Sequence, residues 1–148
     1  TMIALIHTHS LLAWLLLILL LLSVILGIVK STGSGRFRNP LKLLFLFTMI
    51  LAHLQVVLGV VLYFSSPKVV FSELTMSEAL FRFFTLEHPL IMIIAAILIT
   101  IGYSRAKKAT TSKKAFKSIY IYYLIGFALI LLRFPWKYLS GIGAGWFT

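Results

Sequence analysis

The sequence predicts an all-α integral membrane protein, a single transmembrane domain over residues 1–148 folded as an up-down-up-down four-helix bundle. Three observations predict it. Of the 148 residues, 61% are hydrophobic and 11% are charged, whereas soluble domains run at about 45–50% and about 25%. Four apolar runs approach the roughly 20 residues that a membrane crossing needs. Basic residues concentrate in alternate connections between those runs. The net charge of +11 is then a property of loops at a membrane surface, and nucleic acid is not an expected partner. With no cysteine, disulfides, thiolate metal sites, a Cys nucleophile and covalent c-type heme attachment are all excluded.

The first run goes from Ile3 to about Val29, interrupted by His7, Thr8, His9, Ser10 and Ser23. It is longer than a signal-peptide core and no basic residue precedes it, so it is expected to be a retained helix. The second, about 43–64, is entered through Asn39-Pro40 and left through Ser65-Ser66-Pro67, both turn signals. The third apolar run, Pro89–Tyr103, is too short alone and must borrow from Leu80–Glu87, giving a span of about 86–104. The fourth runs from Ile119 to Leu132 and is extended by Phe134 and Trp136, a span of about 118–135. Lipid offers nothing to a free backbone N–H or C=O, and no strand pattern here could close a barrel, so all four are helices.

Loop charge assigns the sides. The first connection carries Lys30, Arg36, Arg38 and Lys42. The third carries Arg105, Lys107, Lys108, Lys113, Lys114 and Lys117. The remaining basic residues, Lys68, Arg82, Arg133 and Lys137, share the other side with the three acids, Glu73, Glu78 and Glu87. The positive-inside rule puts the first and third connections in the cytoplasm of a bacterial cell and both termini on the periplasmic side of its inner membrane. Docking of the basic loops to anionic lipid or to an acidic partner is the alternative reading of the same charges.

In the second connection Thr75 and Glu78 have capping-box spacing. Residues 76–86 behind them are amphipathic, so a short helix at the outer interface is expected. Pro89 has no N–H to give, and a bend is expected there. The tail, with glycines at 141, 143 and 145 beside Trp146 and Phe147, reads as a loose segment near the outer interface.

The chemistry of this chain lies in its histidines: His7 and His9 on the first span, His53 on the second, His88 on the third. Ionisable residues inside a span are costly and usually functional, although a single His near a helix end is often only a hydrogen-bonding residue. Depth separates them. Counted from the basic anchors at about 1.5 Å per residue, His9 lies roughly 31 Å up, His88 roughly 26 Å, His53 about 16 Å and His7 near 35 Å. His9 and His88 are the best-matched pair. In an up-down bundle the first and third helices are diagonal. Imidazoles facing each other across that diagonal suit the two axial positions of a heme iron. His53 has no histidine opposite it on the fourth span. Ala13, Ala95 and Ala96 leave room for a ring, or are ordinary small residues of helix packing. Arg133 comes out level with His88 and, with Arg82, is a candidate partner for heme propionates; the alternative for either is snorkelling to the outer interface. Glu87 either orients an imidazole or pairs with Arg82.

Three stretches carry a family resemblance: Leu5-Ile-His-Thr-His-Ser-Leu-Leu-Ala-Trp14, Ala52-His-Leu-Gln-Val-Val-Leu-Gly59 continuing to Tyr63-Phe64, and Arg82-Phe-Phe-Thr-Leu-Glu-His-Pro-Leu90. Ile99-Thr-Ile-Gly102 followed by Ser-Arg-Ala-Lys-Lys fits the end of the third span. Over most of its length the chain resembles short four-span membrane proteins of Bacteroidetes-type bacteria labelled cytochrome b. More distantly it is similar to one four-helix half of heme A synthase, although the acidic residue that precedes the first ligand histidine there is missing here. The resemblance implies heme b held by His9 and His88.

Three functions compete for these residues. The first is a b-type heme electron carrier, or the heme-bearing subunit of a larger membrane complex with partner subunits. The second is a quinone-reactive or heme-modifying oxidoreductase, with His7, His53 and Gln55 as further polar groups. The third is a structural accessory subunit without cofactor, packed through Gly27, Gly59 and Gly126. A histidine-only metal site built from His7, His9 and His53 is a weaker fourth.

Overall fold

A computed structural model describes residues 1–138; the glycine-rich tail expected near the outer interface lies outside the described residues. Among the described residues the chain is helical and without strands. Helix α1 is Met2–Thr32, α2 is Leu41–Ser65, α3 is Leu74–Ser77, α4 is Ala79–Arg82, α5 is His88–Lys108 and α6 is Ser112–Leu132. A π-helical turn, Phe83–Glu87, joins α4 to α5 without a break, so that Ala79–Lys108 forms one continuous rod of 30 residues. Among the described residues four helices are long and apolar enough to cross a membrane.

Helix α1 packs along α2 and α6, and α5 packs along the same two, which leaves α1 and α5 diagonal. Short connections dictate this order, because consecutive helices can only lie side by side. The α1–α2 and α5–α6 connections meet at one end, where the Phe37 N–H donates to Ser112 Oγ at 2.9 Å. All ten basic residues of those two connections and their flanking turns therefore gather at that end. Thr111 caps α6 there, its hydroxyl accepting from the Lys114 N–H.

Packing between helices uses small residues and short polar links. A Cβ at Gly27 would stand 2.9 Å from Tyr120 Cβ, one at Gly126 2.9 Å from Ile99 Cγ1, and one at Gly102 2.6 Å from Tyr122 Cβ. Each glycine thus lets two helices approach within side-chain thickness. Thr48 donates to the Leu44 carbonyl, which uses its one hydrogen, so Ser23 is the donor in the buried Ser23–Thr48 contact that ties α1 to α2. The Tyr123 hydroxyl donates to the Phe45 carbonyl at 2.7 Å, inside a cluster of Phe37, Phe45 and Phe116 rings. The outer faces carry large apolar side chains such as Ile18, Ile25, Phe47, Val57, Ile97 and Ile125. Such a surface matches lipid rather than water.

The second connection differs from expectation. Residues 76–86 do not form one helix: the backbone is extended at Glu78, and residues 79–87 continue the third long helix instead. The capping box does not form either. Residue Glu73 stands at the α3 N-cap with no side-chain bond, while the Thr75 hydroxyl donates to the Val70 carbonyl. Pro89 falls in the first turn of α5, directly after the π turn. Pro89 cannot donate to the Thr85 carbonyl one turn back, and the Tyr63 hydroxyl of α2 serves that carbonyl at 3.0 Å.

Candidate functional site

At the end of the bundle away from the basic connections, residues of α1, α2, the segment just after it, the π turn, α5 and the end of α6 line a cavity of about 470 Å³. Ligand sites span roughly 300–1,000 Å³. His9 and His88, from diagonal helices, both line it. Neither His7 nor His53 does. Ala13 and Ala96 also line it, so two of the small residues expected beside a ring are there. Ala95 is fully buried against α6 instead, its carbonyl 3.4 Å from a Cβ built at Gly126. Gly59 serves the cavity and not a helix contact: its nearest foreign atom is His9 Cε1, 3.7 Å from a built Cβ.

His88 is held on three sides. Its ring stacks on Phe83 at 5.6 Å and lies 6.4 Å from Phe84, both residues of the π turn. Its Nδ1 is 2.8 Å from the Arg133 carbonyl, at the C-cap of α6. A carbonyl only accepts, so Nδ1 carries the proton and Nε2 keeps its lone pair. That is the tautomer of a metal-ligating histidine anchored by an outer acceptor. The π turn supplies the orientation, since its extra residue per turn rotates the helix beyond it.

His9 is anchored through its backbone: the Gln55 side-chain amide donates to the His9 carbonyl at 2.9 Å. Two buried polar atoms at this point, His9 Nδ1 and Gln55 Oε1, have no hydrogen-bond partner. Each costs about 1–3 kcal/mol while unserved. Gln55 lines the cavity too; the sequence alone marks it only as a polar group near a substrate.

Both arginines expected to be propionate partners are engaged elsewhere. Arg82 Nε and Arg133 Nε lie 3.1 and 3.4 Å from the two oxygens of Glu87. Arg82 Nη1 donates to the Met76 carbonyl and Arg133 Nη1 to the Leu132 carbonyl. Neither side chain lines the cavity. Glu87 therefore pairs with arginines and does not touch an imidazole. What Arg133 brings to His88 is its main-chain carbonyl. Among the described residues, the cation lining the cavity is Lys68, from the chain just after α2. In the sequence it counts only as an outer-side charge.

His53 sits 12 residues from either end of α2 and faces outward. Thr100 gives its hydrogen to the Ala96 carbonyl, so it accepts from His53 Nε2–H at 3.0 Å. His7 is exposed on α1. Among the described residues no three histidines or acids come together as a metal site, so the His7, His9 and His53 alternative is not assembled. Comparison with protein-family models, curated proteins and solved structures finds no match to this chain.

Proposed function

We propose that this chain is a b-type heme protein of the bacterial inner membrane, with His9 and His88 as the axial ligands of one low-spin heme. The observation that carries the reading is one cavity lined by two imidazoles from diagonal helices, one of them fixed by the Arg133 carbonyl with Nε2 left as the donor atom. The donor set fits the group: bis-imidazole coordination uses two nitrogens and no third ligand. An almost wholly apolar lining with small residues at Ala13, Gly59 and Ala96 suits a flat macrocycle. Heme b supplies reversible one-electron transfer when bound. The residues of this chain hold it, orient one imidazole through α6, and keep water from it with the apolar walls of α1, α2 and α5.

The role is that of an electron carrier or of a heme-bearing subunit in a larger membrane complex. The cytochrome b resemblance of the three histidine-bearing stretches supports it. The basic end lies in the cytoplasm by the positive-inside rule, which puts the termini and the cavity toward the periplasm. The test is an optical spectrum of protein purified from heme-replete cells. A low-spin Soret band with a sharp reduced alpha band is expected; a colourless, folded protein refutes the reading.

A further inference from the structure

We infer that Gln55 sets the proton on His9: its side-chain oxygen takes the hydrogen of Nδ1, so that His9, like His88, turns an unprotonated Nε2 to the cavity. The ligand role of that nitrogen rests on the heme reading; the position of the proton does not.

Helix α2 brings the amide to His9. Gln55 and Gly59 stand one turn apart on α2 and share a face. Both line the cavity. Gly59 leaves space there for the His9 ring, whose Cε1 is 3.7 Å from a Cβ built on the glycine. Cε1 is bonded to Nδ1, so that edge of the imidazole lies on the α2 side. Gln55 itself is only 8% exposed. Its Nε2 donates to the His9 carbonyl at 2.9 Å. A carbonyl only accepts, so the amide cannot be turned over, and Oε1 is the end left without a bond. That oxygen is buried and unpartnered, and so is His9 Nδ1. Among the described residues, Gln55 Oε1 is the one buried side-chain oxygen in that condition.

The two unserved atoms complement each other. An amide oxygen has no hydrogen to give, so a bond between them has one polarity, with Nδ1–H donating and Oε1 accepting. The ring can turn to make it, because rotation about Cβ–Cγ is broad for an imidazole. Which nitrogen is left to bind a metal is set by the hydrogen bond the other one makes. With Nδ1–H held by Gln55, the lone pair stays on Nε2. The opposite tautomer would leave Oε1 without a donor and put an N–H where an axial ligand needs a lone pair. Both imidazoles then carry the same device, an oxygen acceptor at Nδ1. It is the Arg133 main chain for His88 and the Gln55 side chain for His9. Gln55 is thus a positioning residue, acting through His9.

Nitrogen NMR of the heme-free protein tests this. The full chain is labelled with 15N-histidine and purified without heme, and its four imidazoles are assigned by single His→Ala variants. Two-bond proton–nitrogen correlations then show which ring nitrogen is protonated. Wild-type His9 should be protonated at Nδ1, as His88 is. Gln55→Met should move the His9 proton to Nε2 and leave the His88 pattern unchanged, which also reports that the bundle has folded. Gln55→Glu should keep the proton on Nδ1, because a carboxyl oxygen also accepts. In a Soret titration, Gln55→Met should bind iron protoporphyrin IX about 10- to 100-fold more weakly than wild type. Any other state of His9 in wild type, or an unchanged His9 in folded Gln55→Met, overturns the inference. The predicted tautomers in a wild-type protein that binds no porphyrin would uphold the role of Gln55 and refute the heme reading.

Discussion

Replacing Gly59 by leucine separates the packing of the bundle from the filling of its cavity. A Cβ at this position meets nothing closer than His9 Cε1 at 3.7 Å, an ordinary contact, and the residue lines the cavity. The fold therefore has room for the substitution. Helix propensity favours leucine over glycine by up to about 1 kcal/mol, so the apoprotein should melt at the same temperature as wild type or slightly higher. Heme binding should respond in the opposite direction. The new side chain stands beside the His9 ring, where a ligated macrocycle has to pass, and overpacking of that kind costs about 1–3 kcal/mol. That range is about 5- to 150-fold in affinity. The assay is a Soret titration of the purified variant, with a thermal melt of the apoprotein as the folding control. A folded Gly59→Leu protein that binds heme as tightly as wild type would show that the ligand does not lie against His9.

Other substitutions should behave according to the same contacts. Gly102→Ala places a Cβ 2.6 Å from Tyr122 Cβ, both near their backbones, so α5 and α6 must separate; a melt should show about 1–3 kcal/mol of destabilisation. Tyr63→Phe removes the donor to the Thr85 carbonyl; it should cost about 0.5–1.5 kcal/mol and speed proteolysis between residues 66 and 72. His7→Ala should leave the spectrum unchanged, because His7 is exposed and lies about 200° around the helix from His9.

The four long helices were legible because apolar runs of membrane length leave the backbone no other structure. The diagonal pairing of α1 with α5 followed from short connections alone. The level of Arg133 beside His88 was legible too, since counting residues along a helix measures height. What height cannot show is direction. The Arg133 guanidinium turns to Glu87, the nearest opposite charge, and the carbonyl rather than the side chain meets the imidazole. Residues 76–86 satisfied an amphipathic pattern but had a stronger competitor, the continuous rod into α5. Thr75 was drawn to Val70 rather than to a cap, a tertiary contact that no local spacing signals. The π turn left one trace in the sequence, Pro89, whose missing N–H already required the hydrogen bonds before it to be rearranged. Lys68 left none: a single lysine in a loop reads as surface charge until the fold places it in the wall of the cavity.

The most direct measurement is the oxidised and reduced spectrum of three single variants, His9→Ala, His88→Ala and His53→Ala, each purified alongside wild type from heme-replete cells. His9→Ala and His88→Ala should each lose the low-spin spectrum, leaving a five-coordinate iron or no heme. His53→Ala should keep it, since its imidazole bonds to Thr100 outside the cavity. Retention of the low-spin heme by His9→Ala together with its loss in His53→Ala would contradict the diagonal assignment, and would move the ligand pair to His53 and His88 on the neighbouring helices α2 and α5.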